Sequence, residues 1–129
     1  MNPDLRVVVQ QADGLRALLV VTGEIDYHSV QTLTRTALEL IDQGRVHLLL
    51  DLSGVGFCDS SGLNAMILIL NHARTRDGSL ALACAPPRLQ ALLALTGVDK
   101  LIPNDPAASA ARALRKAGRS AKAGRASVG

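Results

Sequence analysis

The chain has 129 residues, 48% of them apolar, enough for one domain with its own core. One Tyr, one Phe and no Trp leave that core to aliphatic side chains and argue against the aromatic platforms on which single-stranded nucleic acid stacks. The net charge of +3 is uneven: residues 1–106 carry 8 Lys/Arg and 11 Asp/Glu, while residues 107–129 carry 6 Lys/Arg and no acid, so a mildly acidic body precedes a basic tail.

The opening MNPDLRVVVQ lacks the basic start and apolar stretch of a secretory signal. No apolar run reaches the roughly 20 residues that cross a bilayer, so no membrane association is expected. A cytoplasmic location follows, with Cys58 and Cys84 reduced. Leu5 to Gln11 reads as a strand, and Asp13-Gly14 as a hairpin turn. Leu15 to Thr22 is the returning strand, apolar enough to be buried on both faces. Gly23 is expected to break it. Val30, Leu33, Ala37, Leu40 and Ile41 recur at helical spacing, with Asp26 or Ser29 as the cap and Gly44 as the stop.

Val46 to Asp51 is a third strand, and LSGVGFC reads as a loop after it. Asp59 is an N-cap. Leu63, Met66, Ile67 and Leu70 form the inward stripe of a second helix, centred on Leu63, Ile67 and Leu70, that runs to about Arg76. Ser79 to Ala83 is a fourth strand. Pro86 and Pro87 open a third helix with Leu89, Leu92, Leu93 and Leu95 inside, and Gly97 ends it. Lys100 to Ile102 suggests a short fifth strand. Asp105-Pro106 starts a last helix to about Ala117, and GRSAKAGRASVG reads as a disordered tail. The order, β-β-α-β-α-β-α-(β)-α, is that of an α/β fold: a mixed sheet covered by helices, with parallel crossovers in its second half. Residues 1–106 make the domain, and residues 107–129 the basic end.

In such sheets functional groups gather beyond the carboxyl ends of strands. Two segments qualify, Gly23 to His28 and Gly54 to Gly62. Asp59-Ser60-Ser61-Gly62 is the informative one. A cap explains Asp59, but a glycine in a first helical turn costs about 1 kcal/mol against alanine. Gly62 is read as room for another molecule beside Ser60. Phosphorylation of Ser60 is the functional reading: the phosphate would face helix-start amides and add about −1.5 to −2 charges. With Glu24, Asp26 and Asp59 nearby, a partner fitted to the neutral hydroxyl would be repelled. Opposite the inward stripe, Ser61, Asn64, Leu68 and His72 form a candidate contact face, on which Leu68 is an apolar residue where water is expected.

Catalysis is not expected. There is no Gly-x-Ser-x-Gly elbow, no phosphate-cradling glycine loop, and no metal-ligand spacing among Cys58, Cys84, His28, His47 and His72. No cofactor is expected.

The string LLLDLSGVGFCDSSGLNAMILI, Leu48 to Ile69, resembles the signature of anti-sigma factor antagonists, in the family of STAS domains. VTGEIDYHSVQTL, Val21 to Leu33, resembles the family's other characteristic segment. The resemblance covers about residues 5–105. It implies a four- to five-stranded mixed sheet with about four helices. It also implies partner switching: the unphosphorylated protein binds an anti-sigma factor serine kinase, releasing a sigma factor, and is switched off by phosphorylation until a serine phosphatase resets it. Ser60 matches the acceptor, Ser61 its companion and Asp26 a loop acid beside it. Cys58 stands where the pattern has an aliphatic residue, and the tail lies outside it. Two other readings remain open: a ligand- or nucleotide-binding module using the helix start, and weak nucleic-acid contact by the basic tail.

Overall fold

A computed structural model of the chain describes residues 4–103. Four strands form one sheet in the order β1-β2-β3-β4: β1 Arg6–Asp13, β2 Arg16–Ile25, β3 His47–Cys58 and β4 Ser79–Ala83. β1 and β2 are an antiparallel hairpin, while β2–β3 and β3–β4 are parallel. The parallel pairs are reached through α1, Val30–Asp42, and α2, Ser60–Arg74. After β4 come α3, Pro87–Thr96, and the single turn α4, Val98–Leu101. The expected mixed sheet with helical crossovers is present, with four strands and four helices among the described residues.

The core is aliphatic. On one sheet face Ala17, Leu19 and Val21 of β2 join Leu48, Leu50 and Leu52 of β3 and Leu80 and Leu82 of β4. The helices set Leu33, Ala37 and Ile41, then Met66, Ile69 and Leu70, then Leu89 and Leu93 into the same cluster. The other face also buries Leu18, Asp51 and Ala83, so β2 is covered on both sides as its apolar run implied.

Four expectations need correction. Gly23 does not end β2, which continues to Ile25. Its φ of +99° coincides with a register shift against β3, and a Cβ there would collide with the Asp4 carbonyl, so this glycine lets the strand bulge past the incoming chain. LSGVGFC is not a loop: all of it lies in β3, which stays paired with β2 to Cys58. Lys100 to Ile102 is not a strand, because α4 closes with the Ile102 amide donating to the Val98 carbonyl at 2.9 Å. The chain touches the β4 edge one residue later, where the Pro103 carbonyl accepts from the Leu82 amide at 2.8 Å. Leu95 is 85% exposed rather than inside, since only Leu89 and Leu93, four apart, are fully buried on α3. The expected last helix and tail lie outside the described residues.

Candidate functional site

The parallel pairing of β2 and β3 decides where the two singled-out segments meet. Glu24 lies opposite Phe57 and Ile25 opposite Cys58. The Asp59 amide donates to the Ile25 carbonyl at 3.1 Å, so both strands release their chains at one end of the sheet. Asp26 and Asp59 each begin the segment that enters a helix.

Beyond β2 the chain folds into a cross-linked turn. Asp26 Oδ1 accepts from the His28 and Ser29 amides, both at 2.9 Å. Ser29 Oγ accepts from the Asp26 amide at 3.0 Å and donates to the Glu24 carbonyl at 2.8 Å. Both cap candidates for α1 are therefore used, in a side-chain turn rather than a single cap. The Ser29 amide holds the Asp26 carboxyl below the usual carboxylate range, with smaller help from the Ser29 side chain and His28. Tyr27 projects from this turn at 76% exposure, edge-on to His28 with ring centres 5.6 Å apart.

Beyond β3, Asp59 caps α2, its Oδ1 accepting from the Ser61 amide at 2.8 Å. The Asp59 carbonyl takes the Gly62 amide at 3.0 Å and the Leu63 amide at 3.4 Å. The Ser61, Gly62 and Leu63 amides thus have acceptors within the helix start. Ser60, the first residue of α2, is exposed, and Ser61 is half-buried.

Gly62 is buried and turned inward. A Cβ there would lie 2.5 Å from Cys58 Sγ and 2.8 Å from Ile25 Cγ2. The missing side chain makes room for the strand ends, not for another molecule. Burial, with the Asp59 charge beside it, pushes the Cys58 thiol up to about 11, so it is neutral near pH 7.

The outward face of α2 carries Asn64, exposed, and Leu68, 48% exposed. The buried arc turns toward Ala65, Ile69 and Ala73, leaving Ile67 at its margin instead of its centre. His72 is twelve positions from Ser60, about 18 Å along a helix. Its Nε2 lies 2.9 Å from Asp42 Oδ1 on α1, where the Arg76 guanidinium also donates at 2.9 Å. His72 therefore joins the far ends of α1 and α2 and is not brought together with the serines. The Asp42 carboxyl is held below its ordinary range by the His72 hydrogen bond and the Arg76 charge.

A surface depression of ≈ 440 Å³ opens between the starts of the two helices, lined by Tyr27, His28, Val30, Gln31, Ser61 and Asn64. Sequence reasoning missed Tyr27 and Gln31 here. For Tyr27 the signal was available: the chain's single Tyr falls in the first candidate segment. Among the described residues no group of three or more His, Cys, Asp or Glu is placed to hold a metal ion. No described helix is long and apolar enough to cross a membrane.

Comparison with known proteins adds to this geometry. A model of the STAS domain matches residues 6–114. An anti-sigma F factor antagonist from Paenibacillus polymyxa is 29% identical over 91 residues, 68% of this chain and 78% of that protein. The crystal structure of an anti-sigma factor antagonist from Mycobacterium paratuberculosis is similar at a TM-score of 0.66 and 26% identity, over 80% of this chain and 86% of that one. The anti-sigma factor antagonist SpoIIAA is similar in fold in its unphosphorylated form, at a TM-score of 0.70 and 17% identity over 86% of this chain and 97% of that one. The phosphorylated form of the Bacillus SpoIIAA gives 0.65 and 16% over 85% and 100%.

Proposed function

Since the chain belongs to the STAS domain family, we propose that it is an anti-sigma factor antagonist working by partner switching, a regulatory binding protein and not an enzyme. Unphosphorylated, it binds an anti-sigma factor serine kinase and so frees a sigma factor. Phosphorylation of Ser60 ends that binding, and a serine phosphatase restores it. The observation that carries the reading is the placement of Ser60: an exposed hydroxyl on the first residue of α2, beside Asp59 and the adjacent β2 end with Glu24 and Asp26. The similarity to proteins named as anti-sigma antagonists supports it. Ser61, Asn64 and Leu68 belong to the contact face in this reading, with the loop acids at its border. Gly62 and His72 hold the scaffold behind it. The protein acts in the cytoplasm.

A phosphate on Ser60 would bring about −1.5 to −2 charges next to the Asp59 carboxylate. The amides of residues 61–63 already have acceptors, so the charge stays on the surface and falls on the partner. The competing reading, a phosphate- or nucleotide-binding module at this helix start, needs those same amides.

The test is affinity capture from extract of the native host, with wild type and Ser60→Asp as baits and mass spectrometry as readout. A serine kinase retained by wild type and absent from the aspartate variant is the expected result. Ser60→Ala should retain that kinase and fail to release it on adding ATP. Equal capture by wild type and Ser60→Asp would sink the switch.

A further inference from the structure

The two edges of the sheet differ. β4 has five residues, and the Pro103 carbonyl already accepts from its Leu82 amide. β1 has eight residues and, among the described residues, a neighbouring strand on one side only. The amides and carbonyls along such an edge invite another strand, and proteins blunt long edges with proline or charge. Between Arg6 and Asp13, β1 reads VVVQQA and has neither. Val8 is 47% exposed and Val9 40%. The register with β2 adds a second observation. Arg6, Val8, Gln11 and Asp13 lie opposite Thr22, Val20, Leu18 and Arg16, which alternate along β2, so all four stand on one face. Arg6 and Asp13 are an odd number of positions apart and would point to opposite faces of a regular strand. The shift between Val9 and Gln11 brings them to the same one. Both are exposed, and among the described residues neither has an ion-pair partner.

We propose that β1 pairs antiparallel with β1 of a second copy of this chain, in the register that sets Arg6 opposite the partner's Asp13. A strand with opposite charges at its two ends, on one face, is complementary to its own antiparallel copy. The two-fold axis makes the Arg6–Asp13 contact twice, once at each end of the interface. In this register Val8 faces the partner's Gln11, and all four residues of the face meet residues of the same face. A slip by two positions along either strand leaves both charges unmatched. A parallel, in-register pairing sets like charges side by side, which is destabilising. Exposed ion pairs are worth little singly, so their part here is to select the register. The stabilisation comes from the backbone bonds of the added strand and from covering Val8 and Val9. Two sheets thus join edge to edge. Because β2 is antiparallel to β1, the two Ser60 ends point in opposite directions and both stay open. The pairing does not depend on the partner-switching reading.

The experiment is sedimentation equilibrium of the full chain over a range of concentrations, with folding of each variant checked by circular dichroism. Wild type should approach twice the 13.5 kDa chain mass as concentration rises. Arg6→Asp sets carboxylates against each other at both ends of the interface, and Asp13→Arg sets guanidinium groups there. Each should fold as wild type does and dimerise about tenfold or more weakly. Mixed in equal amounts, the two variants restore an opposite-charge contact at both ends and should associate within about threefold of wild type. A wild-type chain that stays monomeric throughout would overturn the pairing. Reversals that leave dimerisation unchanged would overturn it too, because they place the interface elsewhere. So would a mixture no more associated than its two components. None of these outcomes turns on Ser60, so failure here is distinguishable from failure of the switch.

Discussion

Gly62→Ala separates a glycine required by the fold from one required by a partner. The added methyl would sit 2.5 Å from Cys58 Sγ and 2.8 Å from Ile25 Cγ2, with Ile25 Cβ at 3.4 Å. The sulfur ends a side chain with one rotatable bond and can swing aside. The Ile25 methyl cannot: its side chain is branched at Cβ, has no exposed surface, and belongs to the last paired residue of β2. Overpacking of this kind costs about 1–3 kcal/mol. Replacing glycine in a helix recovers up to about 1 kcal/mol. The net loss is then about 1–2 kcal/mol, or roughly 4–16 °C in melting temperature for a domain of this size. Urea unfolding followed by circular dichroism should show a lower midpoint with an unchanged slope. Adding Cys58→Ala should recover only part of the loss, because Ile25 remains. Below its melting range Gly62→Ala should bind the kinase as wild type does. A variant as stable as wild type but unable to bind would refute the reasoning and return Gly62 to the contact surface.

Three further outcomes follow from the same geometry. Ser60→Asp should melt within about 4 °C of wild type, since a charge favoured by the helix dipole by about 0.3–1 kcal/mol is opposed by the adjacent Asp59; a drop beyond about 8 °C would place the switch in the fold instead of the interface. Asp42 titrates below its unfolded range, so its contribution is present above the ordinary carboxylate pKa and is lost as pH falls through the folded value. The melting difference between wild type and Asp42→Asn should accordingly be greatest above about pH 5 and close toward about pH 2; a difference that persists at the acid end would mean that the His72–Asp42–Arg76 contact is not its source. The Cys58 thiol, raised to about 11, should alkylate far more slowly at pH 8 than a free cysteine and accelerate as pH approaches 10; mass spectrometry of iodoacetamide-treated protein measures this, and rapid labelling at pH 8 would contradict its burial.

The sequence carried the parts of this fold set by local chemistry. Alternating strands and helices, the hairpin at Gly14, and Asp59 as a side-chain cap were legible because each depends on residues a few positions apart. What it hid depends on pairing between distant segments. Gly54-Val55-Gly56 looks like a turn, yet Thr22 and Gly23 of β2 lie opposite Gly54 and Val55 and hold them in the sheet. Ile67 fits the centre of an ideal inward stripe, but the actual arc of α2 faces the sheet and α1 together and is turned away from it. Ser60, Asp59 and the β2 loop were singled out by residue type and position. Tyr27 and Gln31 were not, because a depression between two helix starts exists only once both crossovers have been placed.

The inward turn of Gly62 and the engaged amides point to the same division of labour. Asp59 alone accepts from three amides in the first turn of α2, two of them through its carbonyl, and its own amide ties the turn to Ile25. The methyl-free contact of Gly62 with Ile25 and Cys58 then seats that turn on the strand ends. A helix start fixed from beneath in this way has little room to rearrange around a new charge. Ser60, on its outer side, can change chemical state without altering what lies below it. If Ser60 is phosphorylated as proposed, the cost of the added charge falls on whatever covers Ser60 and not on the fold beneath it.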